Sequence, residues 1–184
     1  MGTGIPPGRI DRVIGLAKAY CSRVGAGPFP TEQDNEIGEK IRETIEARGG
    51  REYGATTGRR RRCGWLDGVA LRYTARLAGA TSLAVSVLDV LSAFETVKVC
   101  TAYRLDGQEL EGFPARARVL ERVSPVYREF PGWQCDISGA TCWADLPPAA
   151  RDYLRFIEKL AGARVEFVSV GPERTQFIER GPDE

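Results

Sequence analysis

Tyr53-Gly54-Ala55-Thr56-Thr57-Gly58-Arg59-Arg60-Arg61-Arg62-Cys63-Gly64-Trp65-Leu66-Asp67 is the stretch on which the reading of this chain turns. Four consecutive arginines follow a run of small residues. Arginine presents a rigid fork of donors that matches carboxylate or phosphate oxygens two at a time. Thr56 and Thr57 add hydroxyls, and the glycines let the backbone come close to a ligand. The residues alone leave two readings open: a loop that grips a small anion, or a solvated basic patch. Two features speak for the loop. The whole chain carries a net charge of only +1, with no second basic cluster to extend a nucleic-acid footprint. The run is also followed at once by the apolar Cys63-Gly64-Trp65-Leu66, which a solvated patch does not need.

Composition bounds the rest. At 184 residues the chain is one domain-sized piece, long enough to bury a core, and 42% hydrophobic with 28% charged residues suits a soluble globular protein. No apolar stretch approaches a membrane span, and we expect no secretory signal. Five cysteines, at 21, 63, 100, 135 and 142, include no Cys-x-x-Cys pair, and there is no histidine. A zinc site is therefore not expected, and reduced thiols in a cytoplasmic protein are the simplest reading.

Working outward from the arginine run, Arg9 to Gly25 reads as a short helix running into a strand over Ala19 to Val24. Pro28 and Pro30 then interrupt regular structure. Thr31 is placed to cap a helix running through Arg48, with Ile37, Ile41 and Ile45 as its core stripe and Gly49-Gly50 at its end. After the run, Trp65 to Leu77 reads as a helix stopping at Gly79, and Thr81 to Leu91 as a buried strand. Asp106-Gly107 predicts a hairpin between Val97–Leu105 and Gln108–Phe113. The stretch from Gly112 to Trp143 is left unassigned. Pro147-Pro148 opens a helix through Leu160, ended by Gly162, and Val165 to Val170 is the last strand. This alternation predicts an α/β layer, with ligand loops at the C-terminal ends of the strands.

The arginine stretch resembles the aspartate-binding loop of the adenylosuccinate synthetase family. Further stretches resemble that family in the same order: Ala19-Tyr20-Cys21-Ser22-Arg23-Val24-Gly25-Ala26-Gly27-Pro28-Phe29-Pro30-Thr31-Glu32, then Leu88-Asp89-Val90-Leu91, then Tyr127-Arg128-Glu129-Phe130-Pro131-Gly132-Trp133, and Val168-Ser169-Val170-Gly171-Pro172-Glu173-Arg174. The resemblance runs from about Gly2 to Ile178. The family's chains are more than twice as long, and their N-terminal half carries a glycine-rich phosphate loop, a catalytic histidine and the magnesium contacts. None of these motifs is present here. Residues 1–184 are therefore expected to be the C-terminal portion of a synthetase. The expected fold is a partial P-loop-NTPase-like α/β fold: a mostly parallel sheet flanked by helices, with an added antiparallel hairpin.

The resemblance implies GTP-dependent joining of IMP and L-aspartate, in purine nucleotide biosynthesis. It implies an aspartate site at Ala55, Thr56, Thr57, Gly58, Arg59, Arg60 and Arg61, and IMP contacts at Val24 and Arg59. Core packing alone would also explain Val24. For GTP it implies Arg61, Val87, Leu88, Asp89, Ser169, Val170 and Gly171. A carboxylate at Asp89 would accept from the ring N–H and the exocyclic amine of guanine, a donor pair that adenine lacks. Read by itself, Asp89 is a strand-end cap. Many family members have lysine where this chain has Val87, a departure that bears on GTP affinity.

No catalytic or metal-binding residue is expected in this chain, since the family's magnesium ligands fall in the other half. The family is homodimeric, and a complementing N-terminal half is the expected further partner. Neither nucleic acid nor membrane is expected as one. Two accounts of such a piece stay open: half of a working ligase, or a catalytically inactive binding or interaction remnant. Either way, an apolar surface should be exposed where the absent half would pack.

Overall fold

Parallel pairing of three short strands organises the chain. In the computed structural model, which describes residues 4–54 and 58–181, β1 (Ile14–Lys18) and β2 (Cys21–Arg23) lead into α1 (Glu36–Ala47). The arginine run then enters β3 (Arg62–Gly64) and β4 (Leu66–Asp67), followed by α2 (Gly68–Ala78) and β5 (Ser82–Ser86). A 3-10 turn over Leu88–Ala93 precedes the long β6 (Thr96–Leu105), β7 (Gln108–Glu109), the single-turn α3 (Ala117–Leu120) and β8 (Ser124–Pro131). The chain ends with α4 (Pro148–Ala161), β9 (Arg164–Ser169) and β10 (Phe177–Glu179).

The main sheet runs β1-β5-β9-β10, parallel between the first three strands and antiparallel at β10. β6 carries β4 in parallel, and β7 and β8 antiparallel. The helices α2 and α4 pack between these sheets, and Leu83, Val85, Leu154, Ile157, Val165 and Val168 meet in one core. The expected fold class, a mostly parallel sheet flanked by helices with an added hairpin, is the one found.

Several boundaries move, each for a physical reason. The helix expected from Thr31 starts at Glu36, because Asn35 caps it by accepting from the Ile37 N–H at 3.0 Å. Thr31 is instead fully buried against β3. The strand expected over Ala19 to Val24 divides in two around a bend at Ala19-Tyr20, with β1 beginning earlier and no long helix before it. The helix expected from Trp65 begins at Gly68, since Asp67 caps it through Ala70 N–H and also accepts from the Tyr103 hydroxyl at 2.5 Å. The strand expected to reach Leu91 stops at Ser86, where Val87 turns left-handed at φ 55. The Asp106-Gly107 hairpin forms with both residues at positive φ, but β6 pairs mainly with β8, from the unassigned stretch. The Pro147-Pro148 helix and its Gly162 stop are as read. All five cysteines are free thiols.

Gly64 is where this packing is tightest near the arginine run. A Cβ built there would lie 2.1 Å from the Thr31 carbonyl oxygen, across the Glu32–Gly64 bridge. Backbone cannot yield as a side chain would. Gly64→Ala is expected to lower the unfolding free energy by about 1–3 kcal/mol, read from urea denaturation. An unchanged midpoint would mean that the Thr31–Glu32 segment is free to move away.

Candidate functional site

The segments expected to bind ligands lie at the C-terminal ends of the parallel strands. Lys18 at the end of β1 pairs with Ser86 at the end of β5, and Ala19 N–H continues the pairing onto the Ser86 carbonyl at 2.9 Å. Val85 pairs with Val168, so Val87-Leu88-Asp89 and Ser169-Val170-Gly171 leave adjacent strands side by side. The Tyr153 hydroxyl of α4 donates to the Ala19 carbonyl at 2.5 Å and fixes the bend that follows β1.

The arginine loop is closed at its base. Gly54 N–H donates to the Arg59 carbonyl at 2.8 Å, Tyr53 bridges Arg60, and Arg61 N–H donates to the Glu52 carbonyl at 2.8 Å. Gly58, at φ 62, takes a left-handed conformation open to glycine. The tip, Ala55, Thr56 and Thr57, lies outside the described residues. Beside the loop is a cleft of about 870 Å³, lined by Glu46, Gly49, Gly50, Arg51, Tyr53, Gly54, Gly58 and Arg61.

The arginines of the run do different things. Arg60 reaches Glu39 of α1 at 2.6 Å. Arg62 donates through Nε to Glu32 at 2.6 Å, and its second ion-pair contact goes to the same carboxylate. It also donates to the Gly27 carbonyl at 2.8 Å. The Arg62 contacts bind the loop to the segment after β2, and the Arg60 pair binds it to α1. Arg61 Nη1 donates to Glu52 at 3.3 Å, and its Nε is buried with no hydrogen-bond partner among the described residues. Arg59 is exposed.

Glu52 is the centre of this arrangement, and the sequence reading missed it. Its side chain is fully buried, yet it receives Lys18 Nζ at 2.6 Å, the Tyr20 hydroxyl and Arg61. Burial by itself would raise the carboxyl's pKa. The hydrogen bonds from Lys18 and Tyr20 and the charges of Lys18 and Arg61 outweigh it, and hold the carboxyl below its ordinary value. Burial, and then the same carboxylate, push the Tyr20 phenol up, so Tyr20 stays a neutral donor. The signal was a lone acid in a segment otherwise rich in arginine.

Asp89 lies in the 3-10 turn, nearly fully buried, and accepts from Arg48 Nη1 at 3.1 Å. Burial pushes its carboxyl up, and Arg48 offsets part of that. Arg48, also missed, sits at the end of α1 and lies 3.7 Å from the exposed Asp136. In the Ser169 loop, Val170 N–H donates to the Gln176 carbonyl at 3.0 Å, and a Cβ on Gly171 would strike the Gln176 side chain. Val87 is half-buried in its left-handed conformation, which is uncommon for a β-branched residue. Val24 follows β2 and is 44% exposed, so the packing that would explain it is not what holds it there.

A site of this shape offers fixed cationic donors for a small carboxylate or phosphate, and beside it a buried carboxylate at a strand end. A sequence profile of the adenylosuccinate synthetase family matches residues 1–178. The chain is 53% identical over 177 residues to the adenylosuccinate synthetase of Trichlorobacter lovleyi, a match covering 96% of this chain and 40% of that protein. It is 54% identical to the synthetase of Salinibacter ruber, over 96% of this chain and 39% of that one. The fold superposes on the fully ligated adenylosuccinate synthetase of Plasmodium falciparum with a TM-score of 0.91 and 36% identity, over 98% of this chain and 42% of the other. A match along almost its whole length, at about half identity and in both sequence and fold, shows that the chain belongs to the adenylosuccinate synthetase family, of whose members' length it spans about two fifths.

Proposed function

We propose that residues 1–184 are the C-terminal portion of a synthetase that joins IMP and L-aspartate into adenylosuccinate at the expense of GTP, releasing GDP and phosphate. This portion supplies the aspartate loop and the guanine-recognition elements. The observation that carries the reading is the convergence of the arginine loop, Val87-Leu88-Asp89 and Ser169-Val170-Gly171 at one end of the parallel sheet.

The ligation phosphorylates the IMP 6-oxygen and then displaces that phosphate with the aspartate amine, so it depends on positioning and on fixed charge. Arg59 and Arg61 hold the aspartate carboxylates, with Thr56 and Thr57 completing the loop around them. Arg60 is assigned to the same loop, which it steadies through Glu39. Arg59 also faces IMP, as does the backbone at Val24. Arg61 further reaches GTP, whose base lies between Asp89 and the Ser169 loop. Glu52 makes this a preformed grip: it fixes Arg61 before any ligand arrives, which removes an ordering cost from binding.

The chain holds no histidine, and the groups that move protons in the ligation belong to the portion it lacks. Among the described residues no group of three or more His, Cys, Asp or Glu side chains is placed to hold a metal ion. A second reading, a catalytically inactive remnant that still binds ligands or partners, is favoured by Val87. It has neither the stem nor the charge of lysine beside the base.

Calorimetric titration of GTP and of L-aspartate into the purified chain tests the assignment. Arg61→Ala is expected to weaken aspartate at least tenfold, and Asp89→Ala to weaken GTP by a similar factor, about 1.4 kcal/mol each. Binding that ignores both substitutions would sink the site assignment. Binding of aspartate without GTP would favour the remnant.

The Glu52 cluster gives a second test. A carboxyl held below its ordinary 4.5 stabilises the fold fully above that value, and loses the contribution as pH falls through its lower folded-state value. Glu52→Gln is therefore expected to be less stable at pH 7 and to show a shallower loss of stability below about pH 4.5. Glu52→Ala, which leaves Lys18 and Arg61 facing each other, should cost about 3 kcal/mol. Urea midpoints measured across pH check both, and parallel wild-type and Glu52→Gln profiles would contradict the account.

A further inference from the structure

Tyr127 to Trp133 is one of the stretches by which this chain resembles its family, yet none of the segments assigned above to aspartate, IMP or GTP includes it. Most of it belongs to β8, and Arg128, Phe130 and Pro131 form one wall of a cleft of about 670 Å³. The other wall is α4, through Ala149, Phe156 and Lys159. A space of this size suits a small molecule rather than a bare ion. The cleft shares no lining residue with the one beside the arginine loop.

Its charge is unbalanced. Two carboxylates line it, and each already has a cation: Glu129 meets Lys98 at 2.6 Å, and Asp152 meets Arg155 at 3.4 Å. Arg128 and Lys159 line the same cleft and meet no carboxylate among the described residues. Arg128 is held in another way. Its guanidinium lies 4.4 Å from the centre of the Phe156 ring and 5.1 Å from that of Phe130. Those two rings are 5.0 Å apart and inclined at 49°. Phe130 is itself buried edge-on against Tyr153 of α4, with ring centres 5.8 Å apart. Stacking on a ring engages the flat face of a guanidinium and leaves its N–H edge able to donate. An arginine already held by its neighbours loses less freedom when an anion arrives. A phosphate has oxygens enough for the paired donors of one arginine and for an ammonium besides. Ala149, Pro131 and Phe156 give the cleft an apolar wall beside those cations.

We propose that the cleft between β8 and α4 binds a small organic phosphate, with Arg128 and Lys159 donating to the phosphate and the organic body lying against Phe156, Ala149 and Pro131. This is a second anion site, apart from the arginine loop. It goes beyond the proposed ligation and does not depend on it.

Phenyl phosphate, titrated into the purified chain and followed by amide NMR shifts, tests the site. Saturable shifts are expected at Arg128, Glu129 and Phe130 and at Arg155, Phe156 and Lys159. Arg128→Gln should weaken binding about tenfold, and Lys159→Gln about threefold. Lys159 makes no ion pair among the described residues, so its substitution keeps the test sound even if Arg128→Gln loosens the rings. Thermal melts of both variants check their folding. Inorganic phosphate should bind more weakly than phenyl phosphate, and benzyl alcohol, which keeps the ring without the charge, should not bind. No saturable shift up to about 10 mM overturns the proposal. So does binding that survives both substitutions, or shifts confined to the amides around Arg61. Phenyl phosphate no tighter than inorganic phosphate rules out the organic body, and benzyl alcohol binding as well as phenyl phosphate rules out the phosphate.

Discussion

A single buried carboxylate holds the functional end of this molecule together. Glu52 has no exposed side-chain surface, and a lone charge in that position would be costly. Lys18 from the end of β1, Tyr20 from the bend after it and Arg61 from the arginine loop meet it from three directions. The arrangement does two jobs with one group. It offsets repulsion between Lys18 and Arg61, and it ties the arginine loop to the end of β1. The Arg60–Glu39 and Arg62–Glu32 pairs add further ties from the same run.

From that pin the rest of the site follows by register. β1 lies beside β5 and β5 beside β9, so a loop fixed to the end of β1 stands near whatever leaves the ends of β5 and β9. Asp89 occupies that neighbouring position, and its own buried charge is met by Arg48 from the end of α1. Both carboxylates are thus set by cations that arrive from other elements. The two differ in outcome. The three donors on Glu52 overcome its burial, whereas Arg48 does not fully overcome that of Asp89. Glu52 is the anchored anion, and Asp89 the one with more to gain from further donors, which suits the guanine-reading role proposed for it.

The same sheet that organises the site is finished on one side only. Its inner face shares a core with α2 and α4, while Ile14, Leu16 and Phe177 stand open on the other.

Much of this was legible in the residues. The helix from Pro148 to Gly162, the Asp106-Gly107 turn and the strand before Val170 follow from local rules: proline opens a helix, glycine closes it, and a left-handed pair makes a tight hairpin. The arginine loop stood out by four arginines after a run of small residues, whereas Asp89, a strand-end cap when read alone, was singled out only by the family resemblance. Boundaries were lost where a distant contact overrode local preference. Thr31 has the chemistry of a helix cap but is packed against Gly64, and Val87 continues an apolar run that the backbone ends by turning left-handed. The order of residues along the chain determined the family, the element types and the candidate ligand loops, since each depends on neighbours in sequence. Only the tertiary structure decided that Glu52 and Arg48 hold the site and that one face of the sheet is open. Those facts depend on pairings between Lys18 and Glu52, Arg48 and Asp89, and Leu16 and Ala84, residues tens of positions apart that come together only when the parallel strands align.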